Sequence, residues 1–224
     1  MLDGKPEKGL SQVLHNNAGS LRRFSLQAVL GDAAGAALVQ VLREVPLQEL
    51  SLIACRLGAN AARYLAGALA AGAGGGGAAT GWRHLERLVL SGNPLEAEAL
   101  PLMEAARGHR RLRELHLRAC GLPQAAGGAL GKLVMASPVL LWLDARNNRA
   151  IGFAGARCFL EAALREWGRQ GSLCGRSAGP GALPGRLDFQ GCGAAPGEAE
   201  AAEGDAPTGP PLPHLLGRFK LCWQ

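Results

Sequence analysis

LRELHLRACGL, residues 112–122, places Leu112, Leu115, Leu117, Cys120 and Leu122 on the spacing L-x-x-L-x-L-x-x-N/C-x-L. The alternation at Leu115 and Leu117 is that of a short strand, because successive side chains of a strand point to opposite faces. Such a unit cannot bury its own apolar edge, so it requires like units stacked beside it. Two more lie upstream in the same register. LERLVLSGNPL carries Leu85, Leu88, Leu90, Asn93 and Leu95, and LQELSLIACRL carries Leu47, Leu50, Leu52, Cys55 and Leu57. From Leu85 to Leu112 is 27 residues and from Leu112 to Leu140 is 28, which leaves room for a helix in every unit.

Weaker copies flank these three. Leu21, Phe24 and Leu26 make a first strand, with Val29 at the Asn/Cys position and Leu30 one residue early. Residues 9–17, with Leu10, Val13 and Leu14 at helical spacing, resemble the helical half of a still earlier unit. Helical spacing then predicts buried positions at Leu38, Val41 and Leu42 in a helix over 33–43, at Leu65 and Leu69, at Leu100 and Met103, and at Leu130, Leu133 and Val134. A fifth unit has Leu140, Leu143, Ala145 and Asn148, with Ile151 one residue late and a helix over 153–167 that buries Ala156, Leu160, Ala163 and Leu164. Leu187, Phe189 and Cys192 restore a sixth strand, with Pro184 in place of its first leucine.

The expected organisation is one domain over 1–193, interrupted by Gly-rich insertions at 72–81 and 168–184. An acidic linker over 194–211 holds Glu198, Glu200, Glu203 and Asp205, and a last edge strand is expected within 212–224. Gly72, Gly74 and Gly77 satisfy G-x-G-x-x-G, but they follow a predicted helix and not a strand, so they read as a flexible insert.

Of the 224 residues 48% are apolar, yet only 10 are aromatic (5 Phe, 4 Trp, 1 Tyr) and 33 are Gly. That composition calls for a core of Leu and Ala with thin units packed backbone to backbone. The net charge of +6 admits acidic partners, but the basic residues are scattered and lack interleaved aromatics, which argues against nucleic acid. The longest uncharged run, between Arg63 and Arg83, is mostly Ala and Gly and too weakly apolar for a membrane span. The first ten residues lack the apolar core of a signal peptide, so a reducing, cytoplasmic location is expected.

Strand-helix units of this length resemble leucine-rich repeats of the ribonuclease-inhibitor class, a class that includes Ran GTPase-activating proteins and NOD-like receptors. The succession from LRELHLRACGL to LWLDARNN is also similar to repeat regions of centrosomal and ciliary-base proteins. The resemblance implies an α/β fold: a horseshoe-shaped solenoid of about six repeats, with a concave parallel sheet and helices outside, that binds proteins. It implies too that Cys55, Asn93, Cys120, Asn148 and Cys192 form a ladder that satisfies backbone groups of the loops leaving the strands. These cysteines are then buried, reduced thiols, and Cys158 is expected on the buried side of its helix.

Strand alternation identifies the residues of the open face. At its later strands it holds Arg87, Glu114, His116, Arg118, Trp142, Asp144, Arg146, Arg186 and Asp188, an exposed tryptophan among arginines as in interface hot spots. Earlier strands offer Ser25 and Ser51. No histidine shares a metal-binding spacing with carboxylates. The expectation is therefore a non-enzymatic scaffold for a protein partner, without cofactor, metal, small-molecule substrate or membrane insertion. The alternatives are a GTPase-activating protein of the Ran type or a structural component of the centrosome or cilium base.

Overall fold

The computed structural model describes residues 14, 16, 17, 19–73, 82–137 and 139–173 and the strand Arg186–Asp188; for 167–173 and 186–188 it describes the backbone alone. The fold is α/β. Six short strands, β1 (Arg23–Leu26), β2 (Glu49–Leu52), β3 (Arg87–Val89), β4 (Glu114–His116), β5 (Trp142–Asp144) and β6 (Arg186–Asp188), form one parallel sheet in chain order. Parallel neighbours need a crossover connection. Helices α1 (Asp32–Leu42), α2 (Ala59–Ala73), α3 (Ala99–Arg107), α4 (Ala126–Ala136) and α5 (Gly152–Leu173) supply it, each packed on the next.

The pairing is in register, so the inward leucines form rows: Leu50 lies beside Leu88, Leu88 beside Leu115, and Leu115 beside Leu143. All four are fully buried, as are Leu52, Leu57, Leu85, Leu90, Leu117 and Leu122. Slipping one strand by a residue would turn its leucines to solvent and its charged residues inward, which is why the register is fixed.

Where the chain leaves the strands, side chains replace secondary structure as hydrogen-bond partners. Asn93 Oδ1 accepts from the N–H groups of Cys55 (2.9 Å) and Leu57 (3.1 Å), and its Nδ2 donates to the carbonyls of Leu52 and Leu90, both at 2.7 Å. Asn148 does the same for the N–H groups of Cys120 (2.8 Å) and Leu122 (3.1 Å) and the carbonyls of Leu117 and Ala145. At the intervening steps thiols take this place: Cys55 Sγ donates to the Leu26 or Ile53 carbonyl, and Cys120 Sγ to that of Leu90 (3.3 Å) or Arg118 (3.5 Å). Burial pushes the Cys120 thiol up to about 12, so it stays a donor. The residue before each ladder position, Ala54, Gly92, Ala119 or Asn147, has φ between 52 and 76°, turning the backbone so that the ladder side chain points inward.

A second set of bonds closes the opposite side, where the chain enters the strands. Trp82, fully buried, donates its Nε1–H to the Leu42 carbonyl at the end of α1 (2.9 Å). His109, also buried, has Nε2 2.8 Å from the Trp82 carbonyl, while its Nδ1 faces the N–H groups of Leu112 (3.0 Å) and Arg111 (3.3 Å). Because Nδ1 must accept, the proton sits on Nε2 and the ring is neutral. Burial lowers the pKa of His109, against the opposing effect of its bond to Trp82. Asp32 links two units in another way: from the first turn of α1 it caps α2, accepting from the N–H groups of Gly58, Asn60 and Ala61 at 2.9–3.1 Å.

The helices approach most closely at α4 and α5. A Cβ on Gly127 would land on the carbonyl of Gly155, and one on Gly131 on that of Phe159. This backbone-to-backbone contact matches what the Ala/Gly-rich composition leads one to expect.

Several local expectations need correction. Val29 is 67% exposed and outside the ladder, because the loop after β1 is one residue short; Leu30 still joins the next loop through its N–H to the Cys55 carbonyl. In α3 the inward positions are Ala99, Leu102, Met103 and Ala106, with Leu100 only partly buried. In α5 they are Ala156, Phe159 and Ala162, the side that meets α4, whereas Leu160, Ala163 and Leu164 are partly exposed. Cys158 is likewise only partly buried. Gly72 belongs to the last turn of α2, where a Cβ would crowd the Trp82 carbonyl carbon. Of the half-unit expected over 9–17, Leu14 and Asn16 are helical. Residues 74–81, 174–185 and 189–224, with Phe189, Cys192 and the acidic linker, lie outside the described residues.

Three outcomes test this account. Asn93→Ala should cost about 2–3 kcal/mol in chemical denaturation, since it removes partners from buried backbone groups, and Asn16→Ala, at an exposed site, less than about 0.5 kcal/mol. On one helix, Gly127→Ala should destabilise by about 1–3 kcal/mol through overpacking. Gly128→Ala, with nothing closer than 4.0 Å, should stabilise by up to about 1 kcal/mol. Third, because folding lowers the pKa of His109 from 6.5, its stabilisation is complete above that value and is lost as pH falls from 6.5 toward the folded-state pKa. Melts at pH 7.5 and 5.5 should show this loss, and His109→Gln should reduce it while lowering stability at the higher pH.

Candidate functional site

On the sheet face opposite the helices, the alternate residues of the strands form continuous rows. The first runs Arg23, Glu49, Arg87, Glu114, Trp142 and Arg186, and the second Ser25, Ser51, Val89, His116, Asp144 and Asp188. Opposite charges across neighbouring strands attract, and the first row pairs Arg23 with Glu49 (3.1 Å) and Arg87 with Glu114 (3.2 Å). Both pairs have an exposed arginine and a half-buried carboxylate still open to solvent, so their contribution to stability is small. Their effect is to neutralise the row up to Trp142.

The second row changes from small to large side chains along the sheet. Over β1–β3, Ser25, Ser51 and Val89 leave a shallow depression of about 200 Å³ bounded by Arg23, Glu49 and Arg87. At β4 and β5 the face is filled. The His116 ring lies 5.3 Å from that of Trp142, centroid to centroid, tilted by 52°. Its Nε2 is 3.4 Å from Glu114 Oε2 and its Nδ1 3.7 Å from Asp144 Oδ2. Arg146 grips the same carboxylate in bidentate fashion, Nε to Oδ1 at 2.9 Å and Nη2 to Oδ2 at 2.7 Å, and its backbone N–H adds a bond to Oδ1 at 3.1 Å.

Asp144 is 3% exposed. Burial by itself would raise its pKa, but the nearby His116 imidazole and the hydrogen bonds from Arg146 outweigh that and hold the carboxyl well below the ordinary carboxylate range. The carboxylate is thereby a fixed charge that orients both Arg146 and His116. Arg118, two residues beyond the end of β4, is exposed, and the Asn147 amide presents its oxygen to the Arg118 guanidinium at 3.0 and 3.1 Å.

Strand alternation therefore brings together Glu114, His116, Trp142, Asp144 and Arg146, with Arg87 on one side and Arg118 at the edge. Arg186 and Asp188 occupy the register positions beside Trp142 and Asp144. The expectation of an exposed tryptophan is corrected: Trp142 is half-buried, and His116 and Asp144 are nearly closed off from solvent. Leu141, 50% exposed next to Trp142, belongs to this end of the sheet and was not anticipated, because the template assigns that position no role.

Among the described residues no group of three or more His, Cys, Asp or Glu is placed to hold a metal ion. No helix among them is long and apolar enough to cross a membrane. In comparisons with known proteins, no family model matches the chain, and no curated protein matches it either.

Proposed function

We propose that the chain is a non-enzymatic protein-binding scaffold of the leucine-rich-repeat type. It is a solenoid of about six strand–helix units whose helix-free sheet face holds the partner. The repeat assignment is supported by the in-register stacking of the inward leucines and by the ladder of Asn93, Cys120 and Asn148 at one position of successive units. The presence of buried thiols that donate to carbonyls favours a reducing compartment.

The observation that carries the binding assignment is the cluster around Trp142. An aromatic ring, an imidazole and a bidentate Arg–Asp pair lie on one face of a rigid sheet, held there by neighbours and not by mobile loops. Preorganised side chains lose little conformational entropy when a partner docks. The chemistry of the cluster fits a partner segment with an apolar side chain for Trp142, and polar groups for Arg118 and Glu114.

The full chain serves as bait, with Trp142→Ala/Arg118→Glu and Ser25→Ala/Ser51→Ala variants beside it. A partner retained by the wild type should bind the first variant more weakly by about 2 kcal/mol or more and the second with little change. Titrations check the difference, and thermal melts check that the variants are folded. Equal affinity of all three proteins would remove the site from the sheet face.

A further inference from the structure

We propose a second interaction surface on the rim where the chain enters the strands: Arg22, Arg83, Arg110, Arg111 and Arg113 form a basic edge that takes an extended, carboxylate-rich segment of a protein. This goes beyond the sheet-face assignment and uses none of its residues.

The rim is assembled by the backbone. The Gln48 N–H donates to the Arg22 carbonyl (2.7 Å), the Glu86 N–H to that of Gln48 (2.7 Å), and the Arg113 N–H to that of Glu86 (2.8 Å), so four consecutive strand entries lie side by side. With strands about 4.8 Å apart, Arg22 to Arg113 spans about 14 Å. All five arginines are exposed, and none of them takes part in an ion pair among the described residues. Some arginines elsewhere on the surface are engaged, Arg23 with Glu49, Arg87 with Glu114, Arg146 with Asp144 and Arg157 with Glu161. Within the entry segments 20–22, 46–48, 82–86 and 109–113 the only acidic residue is Glu86.

The charges also converge. Arg83 Nε donates a hydrogen bond to His84 Nε2 at 3.1 Å, so this nitrogen accepts from a cation and carries no proton of its own. Partial burial and then the charges of Arg83, Arg111 and Arg22, from three different strand entries, lower the pKa of His84. An anion on this rim relieves their mutual repulsion.

An extended peptide rises about 3.4 Å per residue, so about five residues cover the rim, with carboxylates free to meet guanidinium forks in bidentate pairs. A nucleic acid fits less well. Single strands need aromatic faces on which bases stack, and Trp82, the aromatic residue of this rim, is fully buried with its indole N–H bonded to the Leu42 carbonyl.

The test is fluorescence anisotropy with the full chain and a labelled peptide of alternating Glu and Ser, about eight residues long, beside a Gln-for-Glu control and an oligothymidine of similar length. The acidic peptide should bind, more weakly as salt rises, and the control should not. Arg111→Gln/Arg113→Gln should weaken binding about tenfold or more, whereas Arg157→Gln/Arg165→Gln, which removes the same charge from α5, should change it little. Arg22→Gln/Arg83→Gln, on two other entries, should repeat the loss and guards against a folding defect in the first pair, with melts as a check. Trp142→Ala should leave peptide binding unchanged, which separates this surface from the sheet face. Equal loss in the rim and α5 pairs, tighter binding of the oligothymidine, or full binding by both rim variants overturns the proposal.

Discussion

A buried backbone group that leaves a strand must find a partner, and in this protein the partner comes from the neighbouring unit. Asn93 and Asn148 each saturate two N–H groups and two carbonyls with one side chain, which no turn of this length does for itself. On the other edge Trp82 and His109 do the same work with a longer reach. Between these two polar seams the leucine rows need only be apolar and of the right size. The register of the sheet, and with it every position on the open face, depends on the seams being satisfied.

The central strands were legible because their signal is redundant: leucine spacing, strand alternation and an Asn or Cys at a fixed offset all agree for the units that begin at Leu47, Leu85 and Leu112. Where one of these failed, so did the detail. At Val29 a missing residue broke the offset, and the side chain went to solvent. In α3 and α5 Met103 and Ala156 are buried as expected but Leu100, Leu160, Ala163 and Leu164 are not fully so, because helices rich in Ala carry little periodic contrast and the packing partner decides which side is buried. Trp82 and His109 were not legible as a pair. Both stand three residues before the first leucine of a unit, but a tryptophan and a histidine share no pattern until the bonds Trp82–Leu42 and His109–Trp82 are seen.

The candidate site was legible as a set of residues but not as a set of environments. Alternation alone assigns Glu114, His116, Trp142 and Asp144 to one face. It does not say that Asp144 is buried, that Arg146 closes on it, or that Trp142 leans against His116. The basic rim is not legible for the opposite reason: its arginines are dispersed along the chain and only the lateral stacking of strand entries makes them neighbours.

The polar seams reach across unit boundaries in a definite direction. Asn93 and Asn148 reach back to the loop of the preceding unit, Trp82 and His109 back to the preceding turn, while Asp32 reaches forward to cap α2. Fraying is therefore never confined to the unit that frays. Peeling away β5 exposes the loop amides after β4, and peeling away the start of α1 uncaps the helix that follows. Neighbouring units share the cost of each opening, and the array is expected to melt in cooperative blocks larger than a single strand and helix.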